Sequence, residues 1–209
     1  MPDIETMMIF ISTVALFGVV PGPDNIFVLT QSALVGPRSG LAAALGLCLG
    51  LMVHTIAVAA GLAALMQTTP LAFTVLKFAG AAYLLYLAWG AFRAKPGRAD
   101  PATVPATRAR RLVLRGVVMN LSNPKVAIFM LAFLPQFVDQ GRDDTAMQLL
   151  VLGVTMAVVS LMVFAVIAFV SGTLGNGLKS HPAAETVLQK VAGIVFVGLA
   201  ARLVLASNN

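Results

Sequence analysis

Pro21, Gly22, Pro23, Asp24 and Asn25 put two prolines and a carboxylate inside an otherwise apolar stretch. At an offset of 98 positions, which sets Asn25 on Asn123, a second polar group appears: Asn120, Ser122, Asn123, Pro124 and Lys125. A proline has no N–H and its ring clashes with the preceding helical turn, so a helix breaks there and leaves carbonyls and amides free. Those groups can coordinate a small zwitterion, and the N-terminus of the half-helix that follows suits a carboxylate. Asp24 can take a substrate ammonium or exchange a coupling proton. Lys125 can serve as its counter-ion or as a ligand for the substrate carboxylate. Simpler roles stand beside these. Asp24 can cap the half-helix that begins near Asn25, Lys125 can snorkel to an interface, and Asn123 can cap or bond across helices without touching a solute.

Weaker candidates are His54, Gln31 and Gln136. His54 lies with Thr55 in an apolar stretch and reads more readily as a satisfied packing residue than as a proton relay. Gln31 and Gln136 can line vestibules or cap helix ends. Tyr83 and Tyr86 fit an interfacial aromatic belt with Trp89 and Phe92. His181 falls in a loop.

The flanks of both breaks are apolar enough to lie in lipid, where unwound backbone and charge are tolerated only inside protein or along a wet cavity. Composition agrees: 59% of the 209 residues are hydrophobic, 11% are charged, and mean hydropathy is +0.93. A globular domain carries far more charge. The net charge of +6 does not imply nucleic-acid binding, because the basic residues cluster at the edges of apolar stretches. The N-terminal Met-Pro-Asp-Ile-Glu lacks the positive region of a cleavable signal peptide. Cys48 is the single cysteine, which excludes an internal disulfide. No phosphate-binding loop, metal-ligand cluster or Ser/His/Asp set is evident, so neither an enzyme nor an internal ATPase is expected, and no cofactor or metal.

A span needs about 20 apolar residues, and candidates occur at 4–32, 41–66, 73–92, 112–137, 146–170 and 187–205. The expected fold is therefore all-α: a polytopic membrane protein of six transmembrane helices, the first and fourth broken. Gly46 and Gly50 are spaced for close helix contact. Basic residues concentrate in the loops after the first, third and fifth spans, above all in the linker with Arg93, Lys95, Arg98, Arg108, Arg110 and Arg111. The positive-inside rule then puts both termini in the periplasm. Gly18-Val19-Val20 matches Gly116-Val117-Val118, and Thr74-Val75-Leu76 resembles Thr186-Val187-Leu188. One transmembrane domain over 1–209 follows, built as inverted three-helix repeats (1–92 and 112–209) around a cytoplasmic basic linker (93–111). Paired breaks in corresponding halves point to a transporter's substrate site.

With Gly80-Ala81-Ala82-Tyr83-Leu84 and Pro135-Gln136-Phe137 added to the two polar motifs, the chain resembles the LysE/RhtB amino-acid exporter family over nearly its whole length. The resemblance implies a bacterial inner-membrane exporter of amino acids or close derivatives, of the threonine, homoserine, leucine or lysine type, working by proton antiport. Its partners would be a small amino acid, protons and membrane lipids, with a homo-oligomer left open. Pro21, Gly22, Pro23, Asp24, Asn123, Pro124 and Lys125 match motifs shared across members with different substrates, so they do not name the solute. The alternatives are an exporter of another small solute or cation, or a non-transport membrane enzyme or scaffold.

Overall fold

A computed structural model describes residues 2–20, 22–65, 78, 81–82, 85–86, 88–90, 92–93, 108–139, 142, 144–174, 190, 193–194, 197–198, 200–201 and 204. All regular structure among them is helical: α1 (Ile4–Val19), α2 (Pro23–Val35), α3 (Pro37–Leu65), α4 (Ala109–Leu121), α5 (Pro124–Phe133), a 3₁₀ turn (Leu134–Phe137) and α6 (Thr145–Leu174). The expected spans at 4–32, 41–66, 112–137 and 146–170 are all found as helix, with ends displaced by a few residues. Those at 73–92 and 187–205 lie largely outside the described residues. What is described there is helical, Ala81, Ala88 and Ala200 are buried in the core, and the Phe92 ring packs against Gly193. Lys77, Tyr83, His181 and most of the basic linker are outside the described residues.

Local chemistry explains where the helices stop. Asp3 caps α1 by accepting the Thr6 amide at 2.7 Å. Val20 then turns extended, at φ −59° and ψ 120°, as a residue preceding proline must. Pro23 opens α2 at a first-turn position that needs no amide hydrogen, and Pro124 does the same for α5. Gly36, at φ +111°, reverses the chain between α2 and α3, a conformation that only glycine adopts without strain. Pro135 has no amide to continue α5, and the chain tightens into the 3₁₀ turn there.

Each break bends its pair sharply, by 61° between α1 and α2 and by 62° between α4 and the segment after it. Neither member alone is long enough to cross a bilayer, but each bent pair is long and apolar enough to form one span. Helices α3 and α6 are long enough to cross alone, with mean hydropathy 2.2 and 2.7 over their apolar stretches. Their exposed faces are apolar, with Leu45, Leu49, Val53 and Ile56 on α3 and Val154, Val158, Met162 and Val166 on α6. Stripes of that kind on both long helices are what hydrocarbon contact requires. Trp89 is also exposed, with the Arg93 guanidinium 4.2 Å from its ring centre, as a residue of an interfacial belt would be.

The two broken pairs run antiparallel past one another. Phe10 packs edge-on against Phe137 (5.1 Å between ring centres), Phe17 stacks on Phe129 (3.9 Å), Asp24 meets Asn123, and the Phe27 ring faces Arg115. Numbers rise along one pair as they fall along the other. The core is divided accordingly. One apolar cluster gathers Phe10, Phe17, Phe129, Phe133 and Phe137, and a second gathers Phe27, Val28, Leu47, Leu112 and Phe164. Where α3 crosses α4, Gly46 and Gly116 let the backbones touch. A Cβ on Gly116 would lie 2.6 Å from the Ala43 carbonyl oxygen, and one on Gly46 would overlap the Val113 carbonyl. Gly50 abuts Asn120 in the same crossing, so the small-residue spacing does mark a close helix contact.

Candidate functional site

At the level of the two bends a small cavity opens. Gly22, Asp24 and Asn25 line it from the first break, and Asn120, Asn123 and Lys125 from the second. It has about 20 Å³ free for water-sized occupants, room for roughly one water molecule and much too little for an amino acid. A solute of that size can enter only after the walls part.

Asp24 is buried, at 8% exposure. It does not cap α2. Gly22 is the N-cap and offers no side chain, so Asp24 sits inside the first turn and its carboxylate is free to look across the cavity. There the Asn123 side-chain amide donates to Asp24 Oδ1 at 3.0 Å. The Asn123 carbonyl oxygen of the side chain meanwhile accepts the Lys125 amide at 3.0 Å and caps α5. One asparagine therefore ties the second break to the charge of the first.

Lys125 turns inward and does not snorkel. Its ammonium lies 4.4 Å from the centre of the Phe17 ring, in cation–π range. It also comes close to Gly22, where a Cβ would lie 3.4 Å from Nζ. Among the described residues no direct ion pair joins Lys125 to Asp24. The two charges line one cavity without bonding to each other.

Asn120 Oδ1 is buried and has no hydrogen-bond donor among the described residues. A buried acceptor left in that state costs about 1–3 kcal/mol, so a water or solute donor is expected beside it. Asn25 points its amide the other way, donating to the Gly18 carbonyl oxygen at 2.8 Å and satisfying an acceptor that the end of α1 leaves open. Pro124 holds the first position of α5 by its backbone, and Pro21 is outside the described residues.

The secondary candidates stand apart. His54 Nε2 is 3.4 Å from the Asn120 backbone oxygen, but His54 does not line the cavity. Gln31 is buried two turns beyond Asp24 on the same face of α2, and Gln136 lies in the 3₁₀ turn; neither reaches the cavity. The residues missed in the sequence are the apolar and small ones: Phe17, Leu51 and Val126, and from α6 Met156, Ser160 and Phe164. Ser160 carried a usable signal, a hydroxyl in the middle of an apolar span, at a spacing of four from Met156 and Phe164.

Comparison with known proteins places the chain as a whole. Residues 15–207 match the LysE type translocator family. A homoserine/homoserine lactone efflux protein of Salmonella typhimurium is 36% identical over 205 residues, covering 98% of each chain. A leucine efflux protein of Enterobacter sp. is 33% identical over 192 residues, covering 88% of each. An uncharacterised membrane protein of Vibrio cholerae is 32% identical over 196 residues, covering 94% of this chain and 95% of its own. No solved structure matches the chain.

Proposed function

The chain belongs to the LysE type translocator family, a family of transporters and not enzymes, and on that footing we propose that it is a secondary exporter of amino acids. The observation that carries this reading is the cavity between the breaks, which holds one carboxylate and one ammonium without an ion pair between them. A zwitterion has the complementary pair. Once the walls part, its ammonium would meet Asp24 and the orphaned Asn120 Oδ1. Its carboxylate fits between Lys125 and the N-terminal amides of α2, which no side chain caps. The names of the leucine and homoserine relatives support an amino-acid substrate.

The single carboxylate of the cavity supports proton antiport. Asp24 can hold a proton or a substrate ammonium, not both. When the cavity opens outward, a proton taken by Asp24 releases the solute. When it opens inward, the proton leaves to the cytoplasm and the next solute binds, so one proton enters for each zwitterion exported. The antiparallel course of the two broken pairs supports inverted repeats rocking about this level. The loop charge bias supports periplasmic termini in a bacterial inner membrane.

Reconstituted protein tests this directly. Vesicles preloaded with a mixture of amino acids, assayed by mass spectrometry, should release neutral amino acids when a proton gradient is imposed. Asp24→Asn and Lys125→Ala should each abolish release while the protein still inserts. Undiminished release from both variants would remove the cavity assignment, and release indifferent to the gradient would remove antiport.

A further inference from the structure

We propose that α6 supplies the pocket for the substrate's side chain, and that Ser160 selects neutral side chains, with a preference for those bearing a hydroxyl. This rests on the amino-acid reading of the cavity.

Among the described residues, the charges that line the cavity are Asp24, from α2, and Lys125, from α5. A zwitterion's own ammonium and carboxylate use both. A further charge on the substrate would then be desolvated with nothing to pair it, which is strongly unfavourable in a site walled by Phe17, Leu51 and Phe164. Lysine-like and acidic substrates are thus disfavoured by the composition of the walls.

Helix α6 contributes Met156, Ser160 and Phe164, one turn apart on a single face. Two of the three are apolar, and they suit an aliphatic side chain. Ser160 differs from the other hydroxyl residues beyond the first turn of the long helices. Thr55, Thr155, Ser171 and Thr173 each donate to the carbonyl one turn back, at 2.6–2.8 Å. Ser160, only 4% exposed, makes no such bond among the described residues. A buried hydroxyl without its usual backbone partner, on the wall of a cavity, is available to a polar group of the occupant. It can donate to or accept from a substrate hydroxyl.

Export of homoserine, leucine and lysine from one preparation of vesicles tests the proposal, because ratios do not depend on how much protein folds. Wild-type protein should carry both neutral amino acids well and lysine poorly. Ser160→Ala should lower the homoserine-to-leucine ratio about three- to tenfold, the effect of one hydrogen bond. Ser160→Thr, which keeps the hydroxyl, should retain it. Ser160→Asp should raise lysine relative to leucine. Equal export of lysine and leucine by the wild type, or a Ser160→Ala variant that slows all substrates alike, would overturn the assignment of Ser160. Those outcomes leave the transport reading intact. That reading fails separately, if Asp24→Asn still exports.

Discussion

The two helix breaks bend by nearly the same angle and carry an asparagine at matching positions, yet they are built to do different things. The first is open at its helix start. Gly22 gives α2 no side-chain cap, and Asn25 is spent on repairing the Gly18 carbonyl. The second is sealed, because Asn123 caps α5 and with its other end holds Asp24. Similar bends thus yield one terminus able to receive an anion and one that has already satisfied itself. The sign of the charge differs as well, with a carboxylate at the first break and an ammonium at the second. Two similarly bent breaks can carry an asymmetric site because the backbone sets the bend while side chains decide what each end binds.

Exchange of the charges gives the largest expected effect. Asp24→Asn or Lys125→Met removes the partner of one of the zwitterion's charges, and a buried charge that loses its partner costs about 2–5 kcal/mol. Export rate should fall by roughly 100-fold or more in either case, measured on protein whose melting in detergent is checked in parallel. The asparagines test the division of labour next. Asn123→Ala loses a helix cap, about 1 kcal/mol, together with a bond to a charged group, about 1.5–3 kcal/mol. Asn25→Ala loses a single neutral bond of about 1 kcal/mol. The first should lower both thermal stability and export well below the second. Equal effects would mean that the breaks are equivalent after all.

Gly22→Ser offers a finer probe. A serine N-cap should bind the free amides of α2 and stabilise the helix by a few tenths of a kcal/mol over glycine. It should also compete with the substrate carboxylate, so KM rises severalfold while kcat changes little. An unchanged KM would show that the open end receives no anion. The smallest effect is expected outside the membrane. The Arg142 guanidinium, and then the Gln148 amide, hold the Asp144 carboxyl well below the usual carboxylate range. A depressed carboxyl contributes stability that is fully present above its unfolded pKa, near 4, and is lost as pH falls through the lower, folded value. Asp144→Asn should therefore flatten the acid limb of a melting-temperature profile slightly, and leave export at neutral pH unaltered.

Much of this was legible in the chain. Pro21, Pro23 and Pro124 announce breaks through the missing amide, and long apolar runs announce membrane helices through the lack of any charge to solvate. Asp24, Asn120, Asn123 and Lys125 stood out because polar groups are rare in such runs, and all four line the cavity. Gln31, Gln136 and His54 stood out for the same reason but lie off it. Rarity identifies a polar residue without saying which way it points. The cavity's apolar wall was hidden for the converse reason: Met156 and Phe164 look like any other residues of a span, and only packing separates those that face the cavity from those that face the core.

By itself the sequence determined a membrane-embedded helical chain interrupted twice, with opposite charges at the interruptions, because proline chemistry and hydropathy are local properties of consecutive residues. Only the tertiary structure decided that the interruptions meet, that Asn123 spans between them, and that Ser160 on α6 faces the space they leave. Those relations join residues far apart in the chain, and they depend on how closely helices can approach where Gly46 and Gly116 let the backbones touch.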